Sequence, residues 1–143
     1  MEPKLYAHFN LIPVKAWRWI DFRPEEIACS CCGAILIDDE ALDRLQAVRD
    51  APGKPVIINS AYRCEKHNNH IGGAKDSMHR HGKAFDISLH NQERVPLFKA
   101  CADAGFKGFG FYDSFLHVDT GKARSWGDKW PQLANVAVYR GAK

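Results

Sequence analysis

Apolar and polar residues alternate most regularly between Ala84 and Leu89. Phe85, Ile87 and Leu89 fall on one side of an extended chain, which leaves Asp86 on the other side. This period of two predicts a strand that buries its aromatic and aliphatic side chains in a core. The same strand presents the carboxylate of Asp86 to a cleft.

Other segments show the helical period. Apolar residues recur every three positions from Asp38 or Asp39 onward, and Pro52-Gly53 ends that run. A second helix is predicted over Arg94–Ala104, and a shorter one is expected to start within Phe22–Ile27, where acidic residues follow a proline. Each of the two longer helices should pack one face on a sheet.

Further strands are predicted on both sides of the second long helix. Residues 55–59 read as a short buried strand, and residues 108–112 and 115–119 read as a hairpin with a tight turn. Residues 64–78 are polar and are predicted as a long loop over the site, while residues 136–139 are a candidate last strand. These elements predict an α+β fold, a small antiparallel sheet with helices packed on one face.

Length, charge and hydropathy narrow the class of protein. A chain of 143 residues, 45% hydrophobic and 26% charged, suits a single domain over residues 1–143. A net charge of +3 with no basic run argues against nucleic-acid binding. No apolar run approaches the roughly 20 residues of a membrane span, and the N-terminus lacks the pattern of a secretory signal. We therefore expect a cytoplasmic product that is not inserted in a membrane.

Two histidines and an aspartate form the candidate metal site. His79 and Asp86 are seven residues apart, and His117 lies on the second strand of the predicted hairpin. Three protein ligands with a fourth position left to water are typical of a catalytic zinc. Because the chain has seven histidines, some of them must be incidental, and spacing alone leaves both interpretations open.

The motifs around these residues resemble a known enzyme family. They are Ser60-Ala-Tyr-Arg63, Asn68, Gly72-Gly73-Ala74, Ser77-x-His79-x-x-Gly-x-Ala-x-Asp86 and His117-Val-Asp119-Thr-Gly, in this order. Together they resemble the zinc peptidases related to D-Ala-D-Ala carboxypeptidases, which cut peptidoglycan stem peptides and share a fold with the hedgehog signalling domain. The similarity covers about residues 22 to 126 and is greatest to the short, phage-associated or bacterial murein peptidases.

The resemblance implies roles for individual residues. It implies that His79, Asp86 and His117 ligate Zn²⁺, and that Arg63 binds substrate or steadies the oxyanion of the transition state. A guanidinium beside a metal suits that role; the alternative for Arg63 is a structural salt bridge. Ser77 is expected either to hydrogen-bond substrate or to cap its loop.

The general base is where this chain departs from the family pattern. Family members often carry Glu or Asp three residues before the last histidine, and here that position is Ser114. Asp119 is the preferred substitute because on a strand it shares the face of His117, and Asp113 is the second choice. Asp119 would otherwise orient a ligand histidine.

Two more residues are assigned to the site with open alternatives. His81 is expected either to assist catalysis from outside the ligand set or to face solvent. Trp126 is expected either to wall the cleft against substrate or to pack in the core.

The five cysteines pose a separate question. Cys29, Cys32, Cys64 and His67 together have the composition of a closed structural zinc site, and Cys31 competes with Cys32 for its place. The alternatives are free thiols or a disulfide between Cys32 and Cys64. An odd number of cysteines excludes complete pairing within the chain.

The combined expectation is a monomeric, zinc-dependent peptidase of peptidoglycan stem peptides or cross-links, a carboxypeptidase or an endopeptidase. A phage lysis enzyme fits, because a product without a signal would reach the cell wall once something else releases it. The alternative is a non-catalytic, zinc-containing binding module, or a phage structural or assembly module with a degenerate site. The missing carboxylate at Ser114 keeps that alternative open.

Overall fold

The structure, a computed structural model, describes residues 2–51, 54–127 and 130. Two short strands, β1 (Lys4–Tyr6) and β2 (Ile35–Ile37), pair antiparallel in a small sheet of their own. The main sheet has five strands: β3 (Ile58–Ser60), β4 (Ala84–Ser88), β5 (Gly108–Phe111), β6 (Phe115–Asp119) and β7 (Arg124–Gly127). Their order is β3-β4-β6-β5-β7, antiparallel throughout except that β7 runs parallel to β5.

Four α-helices accompany these sheets within the described residues. They are α1 (Pro24–Ile27), α2 (Asp39–Asp50), α3 (Glu65–His70) and α4 (Arg94–Asp103). Single 3₁₀ turns occur at Phe9–Leu11, Val14–Ala16 and Met78–His81. The start of α2 follows from its sequence, because the Asp38 carboxylate accepts a hydrogen bond from the Ala41 amide.

The core lies on one face of the main sheet, where α2 and α4 contact each other and pack on the strands. The strands contribute six buried side chains to it: Phe85, Ile87, Phe109, Phe111, Leu116 and Val118. The alternation predicted for β4 is therefore observed, and the α+β class with helices on one face is confirmed. The opposite face of the same strands carries Asp86, His117 and Asp119, which are buried polar residues.

Several local predictions differ from the structure. The polar segment predicted as a loop contains the helix α3, and the strand expected at residues 55–59 is an edge strand at Ile58–Ser60, only half-buried. The strand β7 was not predicted. The candidate strand at residues 136–139 lies outside the described residues.

Every helix in the described part of the chain is too short or too polar to span a bilayer.

Candidate metal centre

Three elements bring the proposed ligands together on the polar face of the sheet. Asp86 is the central residue of β4, and the antiparallel register places it directly opposite His117 on β6. Directly opposed residues point to the same face. His79 lies in the 3₁₀ turn just before β4, which Gly82 ends with a positive φ of 69°. Glycine adopts that conformation without steric cost, so the turn folds His79 back over the strand.

The three side chains converge on one point. His79 Nε2 lies 3.1 Å from Asp86 Oδ1, and His117 Nδ1 lies 2.9 Å from the same oxygen. All three donor atoms lie within 4.8 Å of one another. Nitrogen or oxygen ligands about 2.0–2.1 Å from a tetrahedral zinc are about 3.3 Å apart, so the spacing of these atoms fits one such ion.

The outer nitrogen of each imidazole is already engaged. His79 Nδ1 lies 2.6 Å from the carbonyl oxygen of Ala61, and His117 Nε2 lies 2.7 Å from Asp119 Oδ2. A carbonyl and a carboxylate oxygen can only accept, so these two nitrogens carry the ring protons. A neutral His79 then presents the lone pair of Nε2 to the site, and a neutral His117 presents that of Nδ1.

This tautomer pattern tests whether a cation fits. Two imidazole lone pairs and the Asp86 carboxylate all point at one another, which is repulsive unless a positive charge lies between them. The nitrogen and oxygen donors suit zinc, which accepts both at short distances. The residues present therefore fit a zinc ion held by His79, Asp86 and His117.

The pKa shifts that the side chains impose on one another show that the site is negative. Burial acts to raise the pKa of Asp86, but hydrogen bonds to His117 and His79 hold it well below its usual range. Burial acts to lower the pKa of His117, but the carboxylates of Asp119 and Asp86 raise it above its usual value. The same negative potential that retains a proton on His117 would attract a metal cation.

Asp119 is fully buried, and both of its oxygens are occupied. Oδ2 accepts from His117 and from Arg124 Nη2 at 2.8 Å, while Oδ1 accepts from Arg124 Nη1 at 2.8 Å and from the Gly121 amide at 2.9 Å. Burial acts to raise the pKa of Asp119, but the bonds from His117 and Arg124 lower it to about 2. Of the two roles that the sequence left open for Asp119, this geometry favours orienting a ligand histidine.

Arg63 lies beside the ligands, on the segment that follows β3. Its Nη2 is 3.6 Å from Asp86 Oδ2, the oxygen that does not face the histidines, and its side chain is 12% exposed. Bonds from the guanidinium to Asn68 Oδ1 and Ser60 Oγ hold it there. The position thus satisfies both interpretations of Arg63, as a partner of Asp86 and as a fixed cation at the site.

Trp126 forms a wall of the site from strand β7. Its ring centroid lies 5.0 Å from that of His117, and its indole N–H donates to the Tyr112 hydroxyl at 2.9 Å. Gly110 makes room for it, because a β-carbon at that position would lie 2.7 Å from the indole ring. Tyr112 was not among the predicted site residues, although it continues the alternation of Gly108 and Gly110 on this face of the sheet.

The other predicted residues lie farther from the ligand atoms or serve the local backbone. Ser77 Oγ accepts from the His79 amide at 3.2 Å and so caps the 3₁₀ turn. His81 is 44% exposed and pairs with Asp76 at 2.7 Å, outside the group of three ligands. Asp113 is exposed in the hairpin turn and adjoins a cavity of about 390 Å³ that Ser88 and Ser114 also line.

Two named proteins are similar in sequence to part of this chain. The zinc D-Ala-D-Ala carboxypeptidase of Streptomyces albus G is 34% identical over 89 residues, 58% of this chain and 35% of that protein. The peptidoglycan L,D-endopeptidase MepK of Escherichia coli (strain K12) is 34% identical over 99 residues, 63% of this chain and 54% of that protein. The chain thus spans about a third to about half of the length of these relatives.

A family model gives the broader match. The model of the peptidase M15 family covers residues 20–119, which include all three proposed ligands and the segment that carries Arg63. The matched region begins before α1 and ends at the last residue of β6, so it contains most of the fold described above. This chain belongs to the peptidase M15 family.

Proposed function

We propose that this chain is a zinc-dependent peptidase that hydrolyses peptide bonds in the stem peptides or cross-links of bacterial peptidoglycan. The observation that carries the proposal is the convergence of His79, Asp86 and His117, with both outer ring nitrogens engaged by fixed acceptors. Family membership supports hydrolysis of a peptide bond. The names of two relatives, a D-Ala-D-Ala carboxypeptidase and a peptidoglycan endopeptidase, support the substrate class.

The ligands are proposed as His79 Nε2, His117 Nδ1 and an oxygen of Asp86. A zinc ion in such a site lowers the pKa of a water molecule and polarises a carbonyl group. The protein's own contribution is to fix the two rings in the tautomers described above, so that no reorganisation is needed when the ion binds. Asp86 and His117 are 7% and 8% exposed. Solvent and substrate can therefore reach the site only at the small exposed parts of these two side chains.

Arg63 and Tyr112 are proposed to bind the substrate carbonyl. The Arg63 guanidinium is positioned by Ser60 and Asn68 and brings a fixed positive charge to the site, where it would stabilise a developing oxyanion. The Tyr112 hydroxyl receives a hydrogen bond from Trp126, and its own O–H has no acceptor among the described residues, so it can donate to a ligand. Both groups would then act on the atom at which negative charge develops.

The two carboxylates considered for proton transfer are assigned different roles. Asp119 is proposed as a positioning residue, because His117, Arg124 and the Gly121 amide already occupy its oxygens. The side chain of Asp113 has no hydrogen-bond or ionic partner among the described residues, so of these two carboxylates it is the one left to accept the proton. Asp113 lies in the turn between β5 and β6, four residues before His117, so this role requires the turn to bend toward the ligands.

Digestion of purified murein sacculi tests the function. The protein with added zinc should release muropeptides, and mass spectrometry of the products identifies the bond that is cut. Loss of a metal ligand should remove several kcal/mol of transition-state stabilisation, so His79→Ala should lower the rate by about a thousandfold or more.

The matched control is His70→Ala, which removes an exposed histidine at the end of α3. This variant should digest sacculi at the wild-type rate. Full digestion by His79→Ala would overturn the metal mechanism, and a folded, zinc-loaded wild-type protein that releases no muropeptide would overturn the substrate assignment.

A further inference from the structure

Four cysteine side chains meet at a second place in the molecule. Three come from the turn between α1 and β2, and the fourth follows Arg63; they are Cys29, Cys31, Cys32 and Cys64. Their sulfur atoms all lie within 4.8 Å of one another. A gathering of four thiols from segments more than thirty residues apart is therefore built by the fold, not only by local sequence.

The distances between the sulfur atoms distinguish the kinds of site. Cys29 Sγ lies 3.4 Å from Cys31 Sγ and 3.7 Å from Cys64 Sγ, and the last two are 3.5 Å apart. A disulfide requires about 2.0 Å, and all of these cysteines are free. Thiolates about 2.3 Å from a tetrahedral zinc lie about 3.8 Å apart, so these distances are close to the edges of a ZnS₄ tetrahedron.

The backbone around the cluster is arranged to hold sulfur ligands. The Gly33 amide donates to the Cys29 carbonyl at 2.8 Å, with Gly33 at a φ of 78°, and this closes the turn that projects three cysteines to one side. Two amides point at sulfur: that of Cys64 lies 3.5 Å from Cys29 Sγ, and that of His67 lies 3.4 Å from Cys64 Sγ. Hydrogen bonds of this kind stabilise the charged form of a thiol.

The composition of the cluster differs from the sequence expectation. His67 was expected as the fourth ligand, but it is not a member of the group, and its Nε2 lies 3.4 Å from the Ser30 hydroxyl. Cys31 and Cys32, which were treated as competitors for one place, are both in the group. Four cysteines without a histidine form a closed set, which is typical of structural zinc.

We propose that Cys29, Cys31, Cys32 and Cys64 bind a second, structural zinc ion. Zinc would replace the four thiol protons, which pass to solvent, and four zinc–sulfur bonds would form with no change of oxidation state. The ion would join the turn after α1 to the segment that starts α3. The site does not depend on the peptidase activity proposed above, because it uses none of the same side chains.

Such an ion would also fix the segment that carries Arg63. Cys64 is the next residue in the chain, and Tyr62 already donates its amide to the Ile27 carbonyl at 3.1 Å. A metal bond at Cys64 would add a second anchor on the other side of Arg63. The zinc ion at the cysteines is therefore expected to affect the site at His79 by fixing the position of the Arg63 guanidinium, without contact with the substrate.

Metal counting on the intact protein tests the proposal. Protein purified under reducing conditions should contain about two zinc equivalents. His79→Ala should retain one of them, held by sulfur, and the double variant Cys29→Ser/Cys64→Ser should retain the other. Cys101→Ala is the matched control, because Cys101 is buried in the core outside the cluster and its removal should leave both equivalents.

Cobalt substitution of the wild-type protein gives a second readout, which does not depend on whether the double cysteine variant folds. Cobalt bound by four thiolates shows a strong sulfur-to-metal charge-transfer band, which a histidine and carboxylate site lacks. The band should persist in His79→Ala and weaken in the single variant Cys31→Ser, whose side chain is exposed. A single zinc equivalent in wild-type protein that disappears in His79→Ala, a missing band, or a disulfide found within the cluster by mass spectrometry would each overturn the proposal. A protein that is inactive on sacculi but shows the band would refute only the peptidase function.

Discussion

At the scale of single residues, Asp119 shows most clearly what the sequence could and could not predict. The period of a strand places it on the same face as His117, and that placement is observed. The sequence does not say which nitrogen of His117 faces the carboxylate. The structure places Asp119 against Nε2, while Nδ1 faces Asp86, and this contact is the basis for proposing that Asp119 orients the ligand instead of accepting a proton.

Replacement of Asp119 by asparagine should therefore act on metal affinity. An amide cannot match the carboxylate in orienting the ring, and loss of such an outer partner typically lowers metal affinity by about 10–100-fold. Competition with a zinc-binding dye measures this affinity. Activity at saturating zinc should fall much less than affinity does.

Asp113→Asn is the paired variant and should lower the catalytic rate without changing the affinity for zinc. Its carboxylate has no described partner to lose, so zinc affinity should stay at the wild-type value. The rate on sacculi should fall by about 10²–10⁴-fold if Asp113 accepts the proton. Wild-type activity in Asp113→Asn, or loss of activity at full zinc occupancy in Asp119→Asn, would reverse the two assignments.

At the scale of elements, the predictions hold where a hydrophobic period is long. The helices α2 and α4 and the strands β4, β5 and β6 all lie where their patterns place them. The helix α3 was missed because its sequence, Glu-Lys-His-Asn-Asn-His, has no apolar stripe; Asn68 is its buried residue. Strand β7 was missed because four residues with one tryptophan carry no readable period.

The parallel pairing of β7 with β5 is also beyond local sequence. It depends on a close approach that only glycine permits, since Trp126 packs over Gly110. Gly110→Ala should force the indole to move and should cost about 1–3 kcal/mol of the free energy of unfolding. The displaced ring should lose its contacts with His117 and Tyr112, so the rate on sacculi should fall as well.

Chemical denaturation followed by tryptophan fluorescence measures the first effect. Ser125→Ala, on the same strand with its side chain on the other face, is the control and should change stability by less than about 0.5 kcal/mol. Equal stability of the Gly110→Ala and Ser125→Ala variants would show that the approach of Trp126 does not constrain the strand pairing.

At the scale of the whole molecule, the sheet separates stability from chemistry. One face packs the apolar core with α2 and α4, and the other carries the buried polar group of Asp86, His117 and Asp119. Folding of this chain should not require the ion at His79, because the core does not include the ligands of that ion. The ion should instead add stability by mass action, by about 2.7 kcal/mol at a free zinc concentration 100 times the Kd.

Calorimetry in zinc-buffered solutions tests this separation. Wild-type protein should unfold cooperatively after chelation, and its Tm should rise with free zinc. In His79→Ala, the part of this rise in Tm that comes from zinc bound by His79, Asp86 and His117 should disappear. A chelated protein with no cooperative transition, or the same rise in both proteins, would contradict the separation of core and site.

The fold was more predictable than the site for a physical reason. Elements follow from hydrophobic periods within one segment, whereas the site depends on contacts between segments, such as His79 with Ala61 and Cys29 with Cys64. The grouping of His79, Asp86 and His117 was predicted from motif spacing and family resemblance. The engaged ring nitrogens, and the presence of both Cys31 and Cys32 in the cysteine cluster in place of His67, could be known only from the structure.

The zinc site at His79, Asp86 and His117 is tested most directly by a crystal structure with anomalous differences measured at the zinc edge. We expect a peak about 2.0–2.2 Å from His79 Nε2, His117 Nδ1 and an oxygen of Asp86. Zinc-soaked crystals with no peak among these three side chains, or with a peak bound through the outer ring nitrogens, would contradict it.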